Sequence, residues 1–369
     1  ALKSAGLDDA PVLIDKFLAG ATEVDVDVVA DFPSTQDSGL STQHSSQALV
    51  AGVLEQIEQA GIHSGDSASV IPPPSLSPEV VERIEALSRD LARELKVCGL
   101  MNIQLAVKDG QIYIIEVNPR ASRTVPFVSK ATHVPWPAIA AKCMMGKTLA
   151  ELNAREVKLN GVWAVKESVF PFNKFPGVDV VLGPEMRSTG EVMGIDSSFP
   201  IAFAKSQSAA GTSLPTEPCG VFISVRAQDR EAIVEPARLL MAMGFKLYAT
   251  EGTAAHLLEN GVKPHILQKI AAGARPNVID LMTNGEIGLV INTPTRTGWK
   301  TDEGRIRAIA VRLNLCMIST TTAAAAAVRA IQALRQHRWD VAALQDYERM
   351  MRGDRLVEPV VPRPAGITS

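Results

Sequence analysis

Between residues 220 and 336 short apolar runs alternate with amphipathic stretches, and this alternation restricts the fold more than any other feature of the sequence. Residues 220–225 read as a strand and 229–243 as a helix closed by Gly244. Strands at 245–249, 287–291 and 315–318 then alternate with helices at 253–259, 304–313 and 321–336. A strand, a helix and a second strand in the same direction build a parallel sheet with helices on both faces. A small Rossmann-like α/β domain is therefore expected over 220–352. Residues 206–219 before it are small, polar and unpatterned, which predicts a linker, and the Pro-containing tail 353–369 is expected to be flexible.

The chain has 369 residues, more than one ordinary core needs, so a second unit is expected over residues 1–205. Its pattern is mixed and reads as α+β. Residues 24–28 (Val-Asp-Val-Asp-Val) alternate strictly, which puts valines on one face of a strand and carboxylates on the other. Residues 11–17 read as another strand. The Ser/Thr/Gln-rich segment 32–46 has no hydrophobic period and reads as a mobile loop. Ser77 and Pro78 open an amphipathic helix that runs to about residue 95, as N-cap and first-turn proline.

Lys and Arg number 37 against 40 Asp and Glu, a net charge of −3, without the basic excess of a nucleic-acid binder that works by neutralising phosphates. No run approaches the roughly 20 apolar residues of a membrane span, and no signal peptide opens the sequence. Four cysteines without metal-ligand spacing read as reduced core thiols, in keeping with a cytoplasmic location. Ala1 leads directly into folded-looking sequence, so a piece of a longer protein is expected.

Residues 100–107 and 111–120 flank Lys108-Asp109-Gly110 and predict a β-hairpin. Glu116 and Asn118, two apart on one strand, share a face. A two-residue Asp-Gly turn pairs Lys108 with Gln111 and sends Gln104 to the opposite face. A three-residue turn with Gly110 left-handed pairs Val107 with Gln111 and gathers Gln104, Glu116 and Asn118 on one side. The three-residue turn is the expectation here. An ionised Glu116 buried beside Ile and Val costs several kcal/mol unless paired, and a magnesium ion among side-chain oxygens and nucleotide phosphates would satisfy it. The plain alternative pairs Glu116 with Arg120 or Arg123 and leaves Asn118 to cap the following turn.

The stretches 62–68, 99–104, 115–130, 172–179 and 184–194 include Ile115-Glu116-Val117-Asn118-Pro119-Arg120 and Pro184-Glu185-Met186-Arg187-Ser188-Thr189-Gly190. Together they resemble the C-terminal half of the large subunit of carbamoyl phosphate synthetase, and the likeness runs over nearly the whole chain. The resemblance implies a partial ATP-grasp fold, the half that phosphorylates carbamate, followed by a methylglyoxal-synthase-like allosteric domain. By motif it implies Gln104, Glu116 and Asn118 as ligands of magnesium or manganese ions that bridge ATP phosphates. Arg120 and Arg123 become the catalytic guanidinium groups, Lys16 and Leu18 the adenine contacts, and Glu23 the ribose contact. Gly61, Ile62, His63 and Ser64 would lie against the nucleotide. Potassium is a further cofactor that the likeness suggests. It also implies a glutaminase small subunit as partner, an oligomer in the full-length protein, and a place in pyrimidine and arginine biosynthesis. The family builds a glycine-rich loop, the rest of the ATP-grasp fold and a second synthetase half upstream of the point matched by Ala1, so this chain alone is expected to be inactive. Residues 32–46 are longer than the tight turn the family has there.

Thr250-Glu251-Gly252-Thr253 follows a strand and opens a helix, where backbone amides and the helix dipole favour an anion. The resemblance implies that Arg230, Thr250, Thr253, Lys269, Asn292 and Thr293 hold a nucleotide monophosphate or another effector. The plain alternative is threonine caps and a surface lysine. Glu58, Asp66 and Glu167 match positions that bind ornithine in some relatives, but residues 316–327 depart from that subtype and ornithine activation is not expected. Two competing functions are a non-catalytic effector-binding module and a lone methylglyoxal-synthase-like lyase. The lyase is weakened by the lack of a clear cluster of catalytic carboxylates.

Overall fold

A computed structural model describes residues 16–32, 47–175, 180–268, 270, 273, 275–295, 298, 301–336 and 339–351. Most of the expected strand at 11–17, the loop at 33–46, Lys269 and the tail from 352 lie outside the described residues; Lys16 and Phe17 are not in a strand.

The first unit runs β1 (Thr22–Asp31), β2 (Ala48–Gln56), β3 (Ser69–Ile71), α1 (Pro78–Glu94), β4 (Cys98–Lys108), β5 (Gln111–Asn118), α2 (Thr124–Thr132), α3 (Trp136–Met144), β6 (Trp163–Val169), β7 (Gly190–Asp196) and α4 (Phe199–Ala209). Among the described residues its sheet has the order β5-β4-β1-β2-β3-β6-β7, and every pairing is antiparallel. The alternation in β1 sorts its two faces. Val24, Val26 and Val28 pack with Ile84 and Ala92 of α1. Val29, on the opposite face, packs under α2 and α3 with Val128 and Trp136, while Glu23, Asp25 and Asp27 precede that helical cover. Glu23 and Asp25 line a cleft at the edge of the helical layer, and Asp27 is fully buried at the start of α2. Gly52 on β2 lets α2 come down, since a Cβ there would stand 2.9 Å from Ile71 Cδ1 and 3.0 Å from Val128 Cγ1. The Ser77 cap of α1 is present, its side chain accepting from Val80 N.

The second unit runs β8 (Gly220–Ser224), α5 (Arg230–Ala242), β9 (Lys246–Thr250), α6 (Glu251–Glu259), β10 (His265–Leu267), α7 (Val278–Thr283), β11 (Ile287–Asn292), α8 (Asp302–Arg312), β12 (Cys316–Ile318), α9 (Thr321–Gln336) and α10 (Leu344–Met351). Its strands are all parallel, in the order β10-β9-β8-β11-β12. Alternate residues of the central strands enter different cores: Val221, Ile223, Leu289 and Ile291 on one face, Phe222 and Val290 on the other. This burial on both faces is why the strands read as apolar runs.

The structure corrects three expectations. Helix α4 extends into the stretch expected to be a linker, and Ser206 and Leu214 are buried there. Small Ala and Ser side chains give no hydrophobic contrast, yet they let α4 lie on β7, where a Cβ on Gly194 would come within 2.1 Å of Ala202 O. Cys98 is exposed rather than a core thiol. Finally, α10 does not stay with the second unit. Tyr347 joins the core of Trp136 and Leu149. Lys205 Nζ bonds Tyr347 Oη at 2.9 Å and Asp196 at 2.7 Å. One apolar cluster crosses the boundary, joining Val70, Val165 and Phe203 to Ile223, Ala327 and Ile331. Among the described residues no helix is long and apolar enough to cross a membrane.

Candidate active site

The β4–β5 turn has two residues, not the expected three. Lys108 pairs with Gln111, and Asp109 (φ 51) and Gly110 (φ 73) both lie in the left-handed region. This is the arrangement of a type I′ turn, which matches the right-handed twist of the strands and which Asp tolerates. An unbroken ladder from that turn would oppose Gln104 with Ile115. A bulge at Ile115 restores the side-sharing instead: Gln104 faces Glu116, and Asn102 faces Asn118. The energetic premise also changes, because Glu116 is exposed rather than buried beside Ile and Val. Among the described residues it forms no ion pair with Arg120 or Arg123, whose nearest described bond is Arg120 Nη1 to Ala121 O at 3.1 Å.

The registers of β1, β4 and β5 place polar side chains in two rows. Asp25, Gln104 and Glu116 form one, and Asp27, Asn102 and Asn118 the next. The first row and Asn102 of the second line a cleft of about 530 Å³. Of the residues implied by the resemblance, Glu23, Gly61, Ile62, His63, Ser64, Gln104, Glu116, Arg120 and Arg123 line it. Lys16, Leu18 and Asn118 do not. Asn118 sits at the end of its row, and Lys16 and Leu18 flank Phe17, whose ring lies against Gly61.

Local bonds orient these groups. Gln104 Nε2 donates to Ser64 Oγ at 3.2 Å, which leaves the amide oxygen for another partner. His63 Nδ1 accepts from Gly65 N at 3.0 Å, so the neutral ring carries its proton on Nε2. Glu23 accepts from Gly61 N at 2.9 Å, and burial holds its carboxyl above the usual range. Three residues that sequence reasoning misses, Asp25, Gln56 and Lys166, also line the cleft. Burial pushes Asp25 up to about 6 despite a 2.9 Å bond from Gln56 Nε2. Lys166 Nζ, buried, donates to Ser67 O at 2.8 Å and Ser64 O at 3.2 Å, and so holds the 63–67 loop. A lysine inside the apolar strand at 163–169 is the available signal, since a buried ammonium needs partners.

Gln104 Oε1, the Glu116 carboxylate and the Asn118 amide oxygen are the groups here that could hold a cation, and together they would offer oxygen donors with a single charge. That suits magnesium, which takes one or two carboxylates and completes its shell with phosphate and water. Among the described residues no three His, Cys, Asp or Glu side chains converge to hold a metal by themselves.

In the second unit Arg230, Thr250, Thr253, Asn292 and Thr293 gather at the C-terminal ends of β8, β9 and β11, the edge where parallel sheets take ligands. Thr293 Oγ1 accepts from Arg226 N at 3.0 Å and Thr253 Oγ1 from Val225 N at 3.2 Å. Asn292 donates to Ser224 O at 2.8 Å and accepts from the buried Arg307 at 2.9 Å. Arg230 lies over the start of α6, where a Cβ on Gly252 would meet its Nη2 at 2.6 Å. Its Nε is buried with no hydrogen-bond partner among the described residues.

A family model described as carbamoyl-phosphate synthase L chain, ATP binding domain, matches residues 1–152, and one for an MGS-like domain matches 232–319. The carbamoyl phosphate synthase large chain of Rhodopirellula baltica is 50% identical over 342 residues, 92% of this chain and 30% of that one. The Archaeoglobus fulgidus large chain is 49% identical over 339 residues, 91% and 30% of the two chains. The Methanocaldococcus jannaschii large chain, C-terminal section, is 44% identical over 351 residues, 92% and 54%.

The chain is similar to part of the carbamoyl phosphate synthase large chain.

It spans roughly a third of the length of the first two relatives. The fold class is the expected one, a partial ATP-grasp unit followed by a methylglyoxal-synthase-like parallel-sheet unit. The ATP-binding match ends before Lys166, so that buried lysine belongs to the cleft but not to the matched segment.

Proposed function

We propose that residues 1–205 form part of the site that phosphorylates carbamate, and that 220–352 regulate it. The carrying observation is the opposition of Gln104 and Glu116 across the bulged ladder, on the wall of a cleft rimmed by Arg120 and Arg123. A carbamate oxygen attacks the γ-phosphorus of ATP, the bond to the β,γ-bridging oxygen breaks, and carbamoyl phosphate and ADP result. A magnesium or manganese ion held by Gln104, Glu116 and Asn118 would neutralise charge on the phosphates. Arg120 and Arg123 hold the anionic acceptor and the transferred phosphoryl oxygens, which planar guanidinium groups can grip in pairs. Glu23 accepts ribose hydroxyls, and the loop at 61–64 lies along the nucleotide with Lys16 and Leu18 at the base. Potassium serves as a further cation in this reading. Carbamate reaches this half from a glutaminase small subunit and the other part of a longer, oligomeric, cytoplasmic large chain that supplies pyrimidine and arginine synthesis.

Regulation by a nucleotide monophosphate at Arg230, Thr250, Thr253, Lys269, Asn292 and Thr293 is supported by a bonded route between the units. Arg226, whose N–H meets Thr293, donates through Nη2 to Gln59 Oε1 at 2.9 Å, and Gln59 Nε2 donates to Thr321 Oγ1 at 3.0 Å. Gln59 lies two residues before Gly61 of the nucleotide loop. The buried, unpartnered Arg230 Nε favours a second reading, in which this chain acts as an effector-binding module alone. Calorimetric titration with Mg·ATP and with uridine and inosine monophosphates separates the two. Heat from both ligand classes supports the synthetase reading, and heat from the monophosphates alone supports the module.

A further inference from the structure

Asp27 is fully buried on β1 and accepts three side-chain hydrogen bonds, from β4, from the first residue of α2 and from the loop before it. Ser122 Oγ donates to Oδ1 at 2.7 Å and Thr124 Oγ1 to Oδ2 at 2.5 Å, and these two hydroxyls lie 2.6 Å from each other. Asn102 Nδ2 donates to Oδ1 at 3.0 Å, from the position on β4 that faces Asn118. Ser122 and Thr124 flank Arg123, and Thr124 is the first residue of α2. That helix has no side-chain cap and no acidic residue in its first turn. The Asp27 carboxyl group, held there from β1, accepts from Thr124 and so takes the place of the cap its own sequence lacks.

We propose that Asp27 is a positioning residue, a clamp that fixes the 119–124 arginine loop to the strand row that ends in Asn118, beside the row of Gln104 and Glu116. Its ligand consequence rests on the carbamate-phosphorylating reading above; its structural consequence does not. Because all three donors are neutral, Asp27 is not half of an ion pair. What it supplies is geometry: Arg123 is pinned on both sides, and Asn102 carries the same restraint to the row of Asn118. Asp25, two residues earlier on the same strand, has no bond to this loop and takes its hydrogen bond from Gln56 instead. The clamp is thus a property of one position and not of an acidic strand face.

The test compares Thr124→Val and Asp27→Asn with the wild-type chain, with Thr124→Ser as the conservative control. Hydrogen exchange of residues 118–124, binding of carbamoyl phosphate and binding of Mn2+·ADP are measured on each. Losing one buried hydrogen bond predicts loop exchange faster by about tenfold and carbamoyl phosphate binding weaker by about tenfold in Thr124→Val. Mn2+·ADP affinity should stay within about threefold, and Thr124→Ser should restore wild-type values for all three measurements. Wild-type loop exchange in both Thr124→Val and Asp27→Asn overturns the proposal, as does a uniform loss of both ligands together with a lowered melting temperature. If the wild-type chain binds Mn2+·ADP but not carbamoyl phosphate, the carbamate reading fails, and the exchange comparison still decides whether Asp27 holds the loop.

Discussion

Gln104 stands opposite Glu116 across β4 and β5, one position out of the register that the Asp109-Gly110 turn sets, because Ile115 is an extra residue in the ladder. The turn and the site are thereby uncoupled. Gly110→Ala should cost about 1 kcal/mol, since Gly110 has φ 73 and an L-residue pays for the left-handed region. Chemical denaturation will read that loss. Mn2+·ADP affinity should remain at the wild-type level, and a fall in it would mean that the turn, not the bulge, places Glu116.

Glu167 gives the chain a pH-dependent stability of unusual sign. Burial first, and then the neighbouring Glu58, push it up to about 8, only partly offset by Lys166. Glu58 is raised as well, by burial. The folded state then holds a proton that the unfolded chain releases near its ordinary value of 4.5, so stability is full below that value and is lost as pH rises toward about 8. Denaturation midpoints measured from pH 5 to 9 should fall with pH in the wild type. They should fall less in Glu167→Gln, where an amide can still accept the hydrogen bond from Gln207 Nε2. Equal slopes would contradict this assignment.

Lys205 ties α10 to the first unit. Its ammonium is shared by Asp196 and Tyr347 and lies 5.9 Å from the centre of the Trp339 ring. Tyr347→Phe should cost about 1 kcal/mol, one hydrogen bond. Lys205→Met should cost about 3 kcal/mol, because it strands the mostly buried Asp196. Limited proteolysis should release the α10 segment earlier in both variants. Unchanged melting and cleavage would show that α10 docks through its apolar residues alone.

Strong periodicity makes the parallel-sheet unit readable in outline: long amphipathic helices such as α9 and buried strands such as β11 leave contrast in the sequence. The 3-residue strand β10 and the 6-residue helix α7 are too short to leave such a pattern. The alternation of Glu23, Asp25 and Asp27 reveals a polar strand face, but not that β1 is the centre of the cleft, because that depends on where α2 and α3 stop covering the sheet. The bulge at Ile115 is invisible for a related reason. Tyr113, Ile114 and Ile115 are apolar and exposed, so shifting the register by one there loses no burial. Lys166 and Gln56 reach the cleft from β6 and from the end of β2, brought together by pairings distant in sequence.

The central claim is that Gln104, Glu116 and Asn118 hold a divalent cation beneath a nucleotide. Titration of the chain with Mn2+ and ADP, followed by electron paramagnetic resonance of the free ion, tests it most directly. The account predicts saturable, nucleotide-dependent Mn2+ binding that Glu116→Ala weakens by at least about tenfold, the loss expected when the charged ligand is removed. Binding of equal strength in Glu116→Ala, or no nucleotide-dependent binding by the wild-type chain, would contradict it.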